Sequence, residues 1–170
     1  MGAVESQLIT DLIASPRVLA TVREKHGRMR VDVCRVTIPA TPGAGWLLRL
    51  TKLRAHDHLL SVRQIGDADA NMSDCNLGIY TPSDSVTDPV VVGSANSLIE
   101  AANLSAIDEW PTEILGDGLT QPENFGKALW VYAGVSTEPA IGTEYEIVME
   151  IVSDAAGSDH CFIIGYLAGD

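Results

Sequence analysis

The sequence predicts a mainly β protein with antiparallel strands, an N-terminal arm and one short helix. Three observations carry that reading. Short runs of branched residues, separated by Pro, Gly, Asp and Asn, dominate from Arg28 onward. A chain of 170 residues with 46% apolar and 20% charged content is long enough, and apolar enough, to bury a core of its own. The first 27 residues follow a different pattern from the rest.

In that leading stretch Val4, Leu8, Ile9, Leu12, Ile13, Val18, Leu19 and Val22 fit helical spacing in part, but Pro16 would break a single helix. Residues 1–27 are therefore an arm, ahead of a strand-rich domain over 28–170. The apolar residues of the arm can pack on their own domain or on a neighbouring subunit.

The predicted strands are Arg28–Ile38, Trp46–Ala55, Leu59–Gly66 and Asn76–Tyr80, with a short run at Val90–Val92. The turn Pro39–Gly45 joins the first two in hairpin fashion. Leu48 and Leu50 share one face of the second strand while Leu53 falls on the other, which points to a bulge or a change of partner. Near the end, Tyr145, Ile147, Met149 and Ile151 face inward from Thr143–Val152, and Glu146 and Glu150 face out. The turn Asp154–Asp159 then leads into His160–Ala168, so these two read as a half-buried antiparallel hairpin. Trimming the tail would cost the last strand its ladder.

One helix is predicted over about 121–133. Thr120-Gln-Pro-Glu123 has the capping-box form, Phe125, Ala128, Leu129 and Tyr132 follow helical spacing, and Gly134 is placed to end it. The stretch 93–118 is ambiguous between a helical turn at Ser97–Leu104 and a loop around Trp110-Pro111.

Charge is unevenly distributed. Residues 1–66 hold ten of the eleven basic residues and five acids, a balance of +5; residues 67–170 hold Lys127 against eighteen acids, a balance of −17. Such asymmetry can mark one surface for a partner and another for solvent, unless strands distant in sequence interleave and mix the charges. Either way the acidic majority opposes nucleic acid. No apolar run reaches the roughly 18 to 20 residues that span a bilayer, and the start lacks a signal-peptide pattern, so no membrane is expected and the cytoplasm is the default site of synthesis.

No catalytic, cofactor or metal constellation emerges. Cys34, Cys75 and Cys161 are odd in number and far apart, with no CxxC pair, and read as buried thiols. His56 and His58 are spaced to share a strand face and could bind a metal, but a turn with exposed histidines is the reading preferred. Asp67–Asp74 begins like a calcium loop, then has Met72 where the glycine belongs and Gly78 where the bidentate glutamate belongs. It reads as a polar loop. There is no G-x-S-x-G elbow and no phosphate loop. Carboxylate pairs such as Asp108-Glu109 and Glu144/Glu146 are what chance gives in so acidic a stretch. The aromatics Trp46, Trp110, Trp130, Tyr80, Tyr132 and Tyr166 read as core or interface residues rather than a sugar platform.

The order of several motifs resembles a group of small tailed-bacteriophage head decoration or cement proteins. The shared pieces are Leu8-Ile9-Thr10 and Pro16-Arg17-Val18-Leu19 in the arm, Gly27-Arg28-Met-Arg30 opening the first strand, and Asn76-Leu-Gly-Ile-Tyr80. Further on come Lys127-Ala-Leu-Trp130, Gly134-Val-Ser-Thr-Glu-Pro139 and Glu144-Tyr-Glu-Ile147. The resemblance implies a jelly-roll sandwich without catalytic residues, assembled in the host cytoplasm onto the capsid surface of a virion. It would bind the major capsid protein as a homo-oligomer, a trimer before a dimer. Candidate partner-binding residues are Leu8, Ile9, Leu12, Arg17, Leu19 and Arg23 in the arm, with Arg28 and Arg30 at the first strand. A tail-associated or receptor- or glycan-binding β-module is the alternative.

Overall fold

Alternating branched residues need two faces to bury, and the chain meets this with two antiparallel sheets packed on one core. The computed structural model describes residues 28–38, 45–66, 74–82, 90–94, 97–103, 112–114, 126–152 and 157–169. Nine strands and one helical turn fall there: β1 (Met29–Ile38), β2 (Trp46–Arg54), β3 (His58–Gly66), β4 (Cys75–Thr81), β5 (Val90–Val91), β6 (Ile99–Ala102), β7 (Thr112–Glu113), α1 (Leu129–Tyr132), β8 (Glu144–Ile151) and β9 (Ser158–Leu167).

One sheet has the order β1-β9-β3-β7 and the other β2-β8-β4-β5, with β6 sharing the same edge of β4. β6 lies beside the start of β4 and β5 beside its end. β1, β2, β3 and β4 alternate between the two sheets, as do β7, β8 and β9, and β8 and β9 insert between strands made much earlier. This interleaving is the double Greek-key winding of a jelly roll, so the fold class read from the sequence holds.

The winding corrects two sequence expectations. β1 and β2 are not a hairpin, because β1 pairs with β9 and β2 with β8. Nor are β8 and β9: β8 lies between β2 and β4, and β9 between β1 and β3. Period-two patterning fixes which side chains point inward but not which strand lies alongside. The bulge expected in β2 is present, as a register shift between Arg49 and Thr51.

The core is shared by both sheets. Leu48, Leu53, Leu77, Ile79, Ile147 and Met149 come from one, and Leu59, Val62, Phe162 and Ile164 from the other. Glu144, Glu146 and Glu150 of β8 take the opposite face, level with Arg54, Lys52 and Leu47 of β2. Glu146 is nonetheless buried, held by a two-point ion pair to Arg49 at 2.9 Å for each contact. At the sandwich edge Asp32 of β1 accepts a 2.6 Å hydrogen bond from the Thr51 hydroxyl of β2, stitching one sheet to the other.

The helix is much shorter than predicted. Gly126 has φ +74° and Ala128 is extended (φ −65°, ψ 148°), so the turn at 126–128 separates α1 from the capping-box segment, whose residues 121–125 lie outside the described residues. The C-terminal signal was sound. Gly134 sits at φ +69°, its N–H bonds the Val131 carbonyl and the Val135 N–H reaches Trp130, the paired bonds of a Schellman ending. Ser97–Leu104 supplies strand β6 rather than a helical turn, and Thr112–Glu113 forms β7 where a loop was expected.

Candidate functional site

Two clusters of polar side chains could have been chemical sites, and hydrogen bonding settles the role of each. The first is the corner Ala55–His58 between β2 and β3. Asp57 is buried there; its carboxylate accepts the Arg54 N–H at 2.8 Å and the Gly169 N–H at 2.7 Å. His56 is buried rather than exposed and meets Glu138 at 3.1 Å, while half-buried His58 bonds the Gly126 carbonyl. The expectation of exposed histidines is therefore corrected. The two imidazoles are tied to different segments, and the Asp57 and Ala55 carbonyls accept from Leu129 and Trp130. The corner is a clamp that seats α1 and the chain end against β2 and β3.

The second cluster was not legible in the sequence. Gln64, Ser158 and His160 are buried together, with Gln64 Nε2 2.9 Å from His160 Nδ1 and His160 Nε2 2.9 Å from Ser158 Oγ. The amide N–H donates to Nδ1, so the ring proton sits on Nε2 and is donated to the serine oxygen. A base that activates a serine must accept the hydroxyl proton instead. The trio is a polar staple between β3 and β9. Its only signal in the sequence was alternation, Ser158 and His160 on one face of a strand.

The thiols are likewise structural. Cys75 is buried and Cys34 and Cys161 half-buried, the last two more open than expected. They stand on opposite faces of neighbouring strands, since Cys34 is level with Phe162 and Arg35 with Cys161. Burial first, then Asp32 and Cys161, pushes the Cys34 thiol up to about 11, which keeps it protonated and unreactive.

Of the predicted partner-binding residues, Leu8, Ile9, Leu12, Arg17, Leu19 and Arg23 lie outside the described residues, as do most of the 67–74 loop and Trp110. Arg28 and Arg30 are exposed where β1 begins. Arg30, Lys52, Arg54, Asp57, Glu144 and Tyr166 line a notch of about 140 Å³ at that end of the sandwich. Arg30 donates to the Tyr166 hydroxyl there; burial, with Asp32 and Asp57 adding to it, pushes that phenol up, and Arg30 pulls it back only in part.

What the sequence reading missed is the solvent face of β1. Met29, Val31 and Val33 are 69%, 53% and 60% exposed, an unusual exposure for three apolar residues in register along one strand. Across the ladder they stand beside Leu167, Gly165 and Ile163 of β9. Gly165 is buried between Val31 and Ser61, where a Cβ would approach the Ser61 hydroxyl to 2.7 Å. Further along the same face, Arg35, Thr37, Ile65, Asp159 and Cys161 border an open concavity of about 400 Å³. The signal was in the sequence: β1 carries apolar residues at both parities, Met29, Val31 and Val33 on one and Cys34, Val36 and Ile38 on the other.

No protein-family model and no curated protein matches the chain. Two solved structures share its fold. One is a chain of the cyanophage Pam1 capsid asymmetric unit, at 14% identity and a TM-score of 0.51, with 99% of each chain covered. The other is a chain of the capsid of Ralstonia phage GP4, at 16% identity and a TM-score of 0.51, covering 83% of this chain and 86% of that one. The jelly roll described here is thus shared, nearly end to end, with a chain of an assembled phage capsid.

Proposed function

We propose that the chain is a virion structural protein that decorates or cements a phage capsid by binding the lattice of the major capsid protein. The observation that carries this reading is the end-to-end likeness of its fold to a chain of the Pam1 capsid asymmetric unit. The polar clusters of the described residues support a structural role over a catalytic one, because each is spent on holding strands and corners together. A cement protein adds contact area at every lattice site, so modest contacts repeated many times hold a shell. In this reading the chain works on the capsid surface as a homo-oligomer, a trimer before a dimer. Arm residues Leu8, Ile9, Leu12, Arg17, Leu19 and Arg23, continued by Arg28 and Arg30, engage the lattice.

Electron cryomicroscopy of the phage that encodes the chain tests it. Jelly-roll density on the outer capsid surface is the expected result, and density confined to the tail would overturn it. Shell binding by a chain lacking residues 1–27 should be sharply reduced; binding at full strength would remove the arm from the interface.

A further inference from the structure

β1 closes one side of its sheet. Its ten residues pair with β9 on one flank, and no strand among the described residues pairs with the other. A long edge whose outward side chains are apolar is a template for another strand, and proteins that do not use such an edge usually blunt it with a charge, a proline or a bulge. β1 has no proline and its ladder to β9 runs without a register shift; the exposed charges it does carry, Arg30 and Arg35, lie to either side of middle positions Val31 and Val33 that are apolar and exposed.

The charges on β1 point the same way. Its exposed charged side chains, with Arg28 just ahead of it, are Arg30 and Arg35, all cationic on a chain of net charge −12. The acid of the strand, Asp32, turns to the inner side and is bonded to Thr51. The edge therefore offers three arginines and three bare apolar side chains.

We propose that the free edge of β1 is where this protein captures its lattice partner, as an added β-strand: an extended segment of the capsid protein carrying carboxylates among apolar residues. This rests on the capsid-decoration reading and names the contact it uses. A strand laid beside β1 would pair its backbone with the open edge and set alternate side chains against Met29, Val31 and Val33, with acids near Arg28, Arg30 or Arg35. A second copy fits less well. Two β1 strands paired in one ribbon would gather six arginines with no exposed acid between them.

The test uses capsid shells of the encoding phage prepared without this protein, and the full chain. Val33→Asp and Arg35→Glu should each weaken shell binding by roughly tenfold or more with little change in melting temperature, since both positions face solvent. Amide hydrogen exchange gives a readout specific to strand addition. On the shell, the β1 amides that point away from β9 should gain protection, in alternation along the strand. If both variants bind as the wild type does, or those amides exchange alike free and bound, the edge is not the site. If the amides are already protected in the free protein, the arm or a second copy covers the edge and the proposal also fails. Failure of the wild type itself to bind shells would sink the decoration reading, a different result from variants that bind normally.

Discussion

Gly66 lies flat against the imidazole of His160: a Cβ on Gly66 would fall 2.1 Å from Nδ1 of that ring and 2.6 Å from Gln64 Nε2. The last residue of β3 is thus glycine because a histidine from the opposing strand occupies the space of its side chain. Gly66→Ala must push His160 away from Gln64 and Ser158, and should cost about 2–3 kcal/mol, read as a lower denaturant midpoint with an unchanged slope. Gly142→Ala, where the added Cβ meets nothing, should cost only the roughly 1 kcal/mol of its φ of +90°.

Alkaline pH should destabilise the fold. Cys34 is raised to about 11, and Tyr80, Tyr132, Tyr145 and Tyr166 are each raised above 10, in every case chiefly by burial. As pH rises the unfolded chain loses these protons first, so stability is complete below about pH 9 and falls as pH climbs through the folded values. Chemical denaturation between pH 7 and 11 should show that decline, and Cys34→Ala should delay its onset toward pH 10.

The Arg49–Glu146 pair should be dispensable only as a unit. Arg49→Met leaves a buried carboxylate without its cation and should cost about 3–5 kcal/mol. Arg49→Met with Glu146→Leu should regain most of that loss, and a double-mutant cycle on denaturant midpoints measures the difference.

Asp57 and the chain end should be coupled. Asp57→Ala removes the acceptor of the Arg54 and Gly169 amides. Removing residues 169 and 170 takes away the second bond and leaves the first. The two losses should therefore sum to more than the combined variant shows, by about 0.5–2 kcal/mol. Extending the deletion through Leu167 into β9 should unfold the protein, since that strand holds β1 and β3 together.

The strands were legible because branched residues between Gly and Pro report extended backbone locally, and the β2 bulge because Leu48, Leu50 and Leu53 break the alternation. Strand partners were not, since β1 finds β9 more than a hundred residues away. The helix was overextended because Thr120–Glu123 looks like a cap, while Gly126 and extended Ala128 set the actual start at Leu129. Of the proposed partner-binding residues, Arg28 and Arg30 were named from the motif Gly27–Arg30, and both are exposed. Met29, Val31 and Val33 were missed because an apolar residue in a strand reads as core until its partners place it on the solvent face. The Gln64–His160–Ser158 staple depends on two strands meeting, which no local pattern states.

The placement of β9 has a consequence in time. A ribosome makes β1 first and β9 last of the described strands, yet β9 is the strand on which β1 and β3 both hang. Until Ser158–Leu167 emerges, that sheet cannot form and β1 has no flank to rest on, so contacts of such long sequence separation also make folding slow. The edge of β1 is therefore displayed in strand form only once β9 has been made. If that edge is the contact we propose, chains that stop short of β9 are kept off a shell by topology alone, without a separate inspection step.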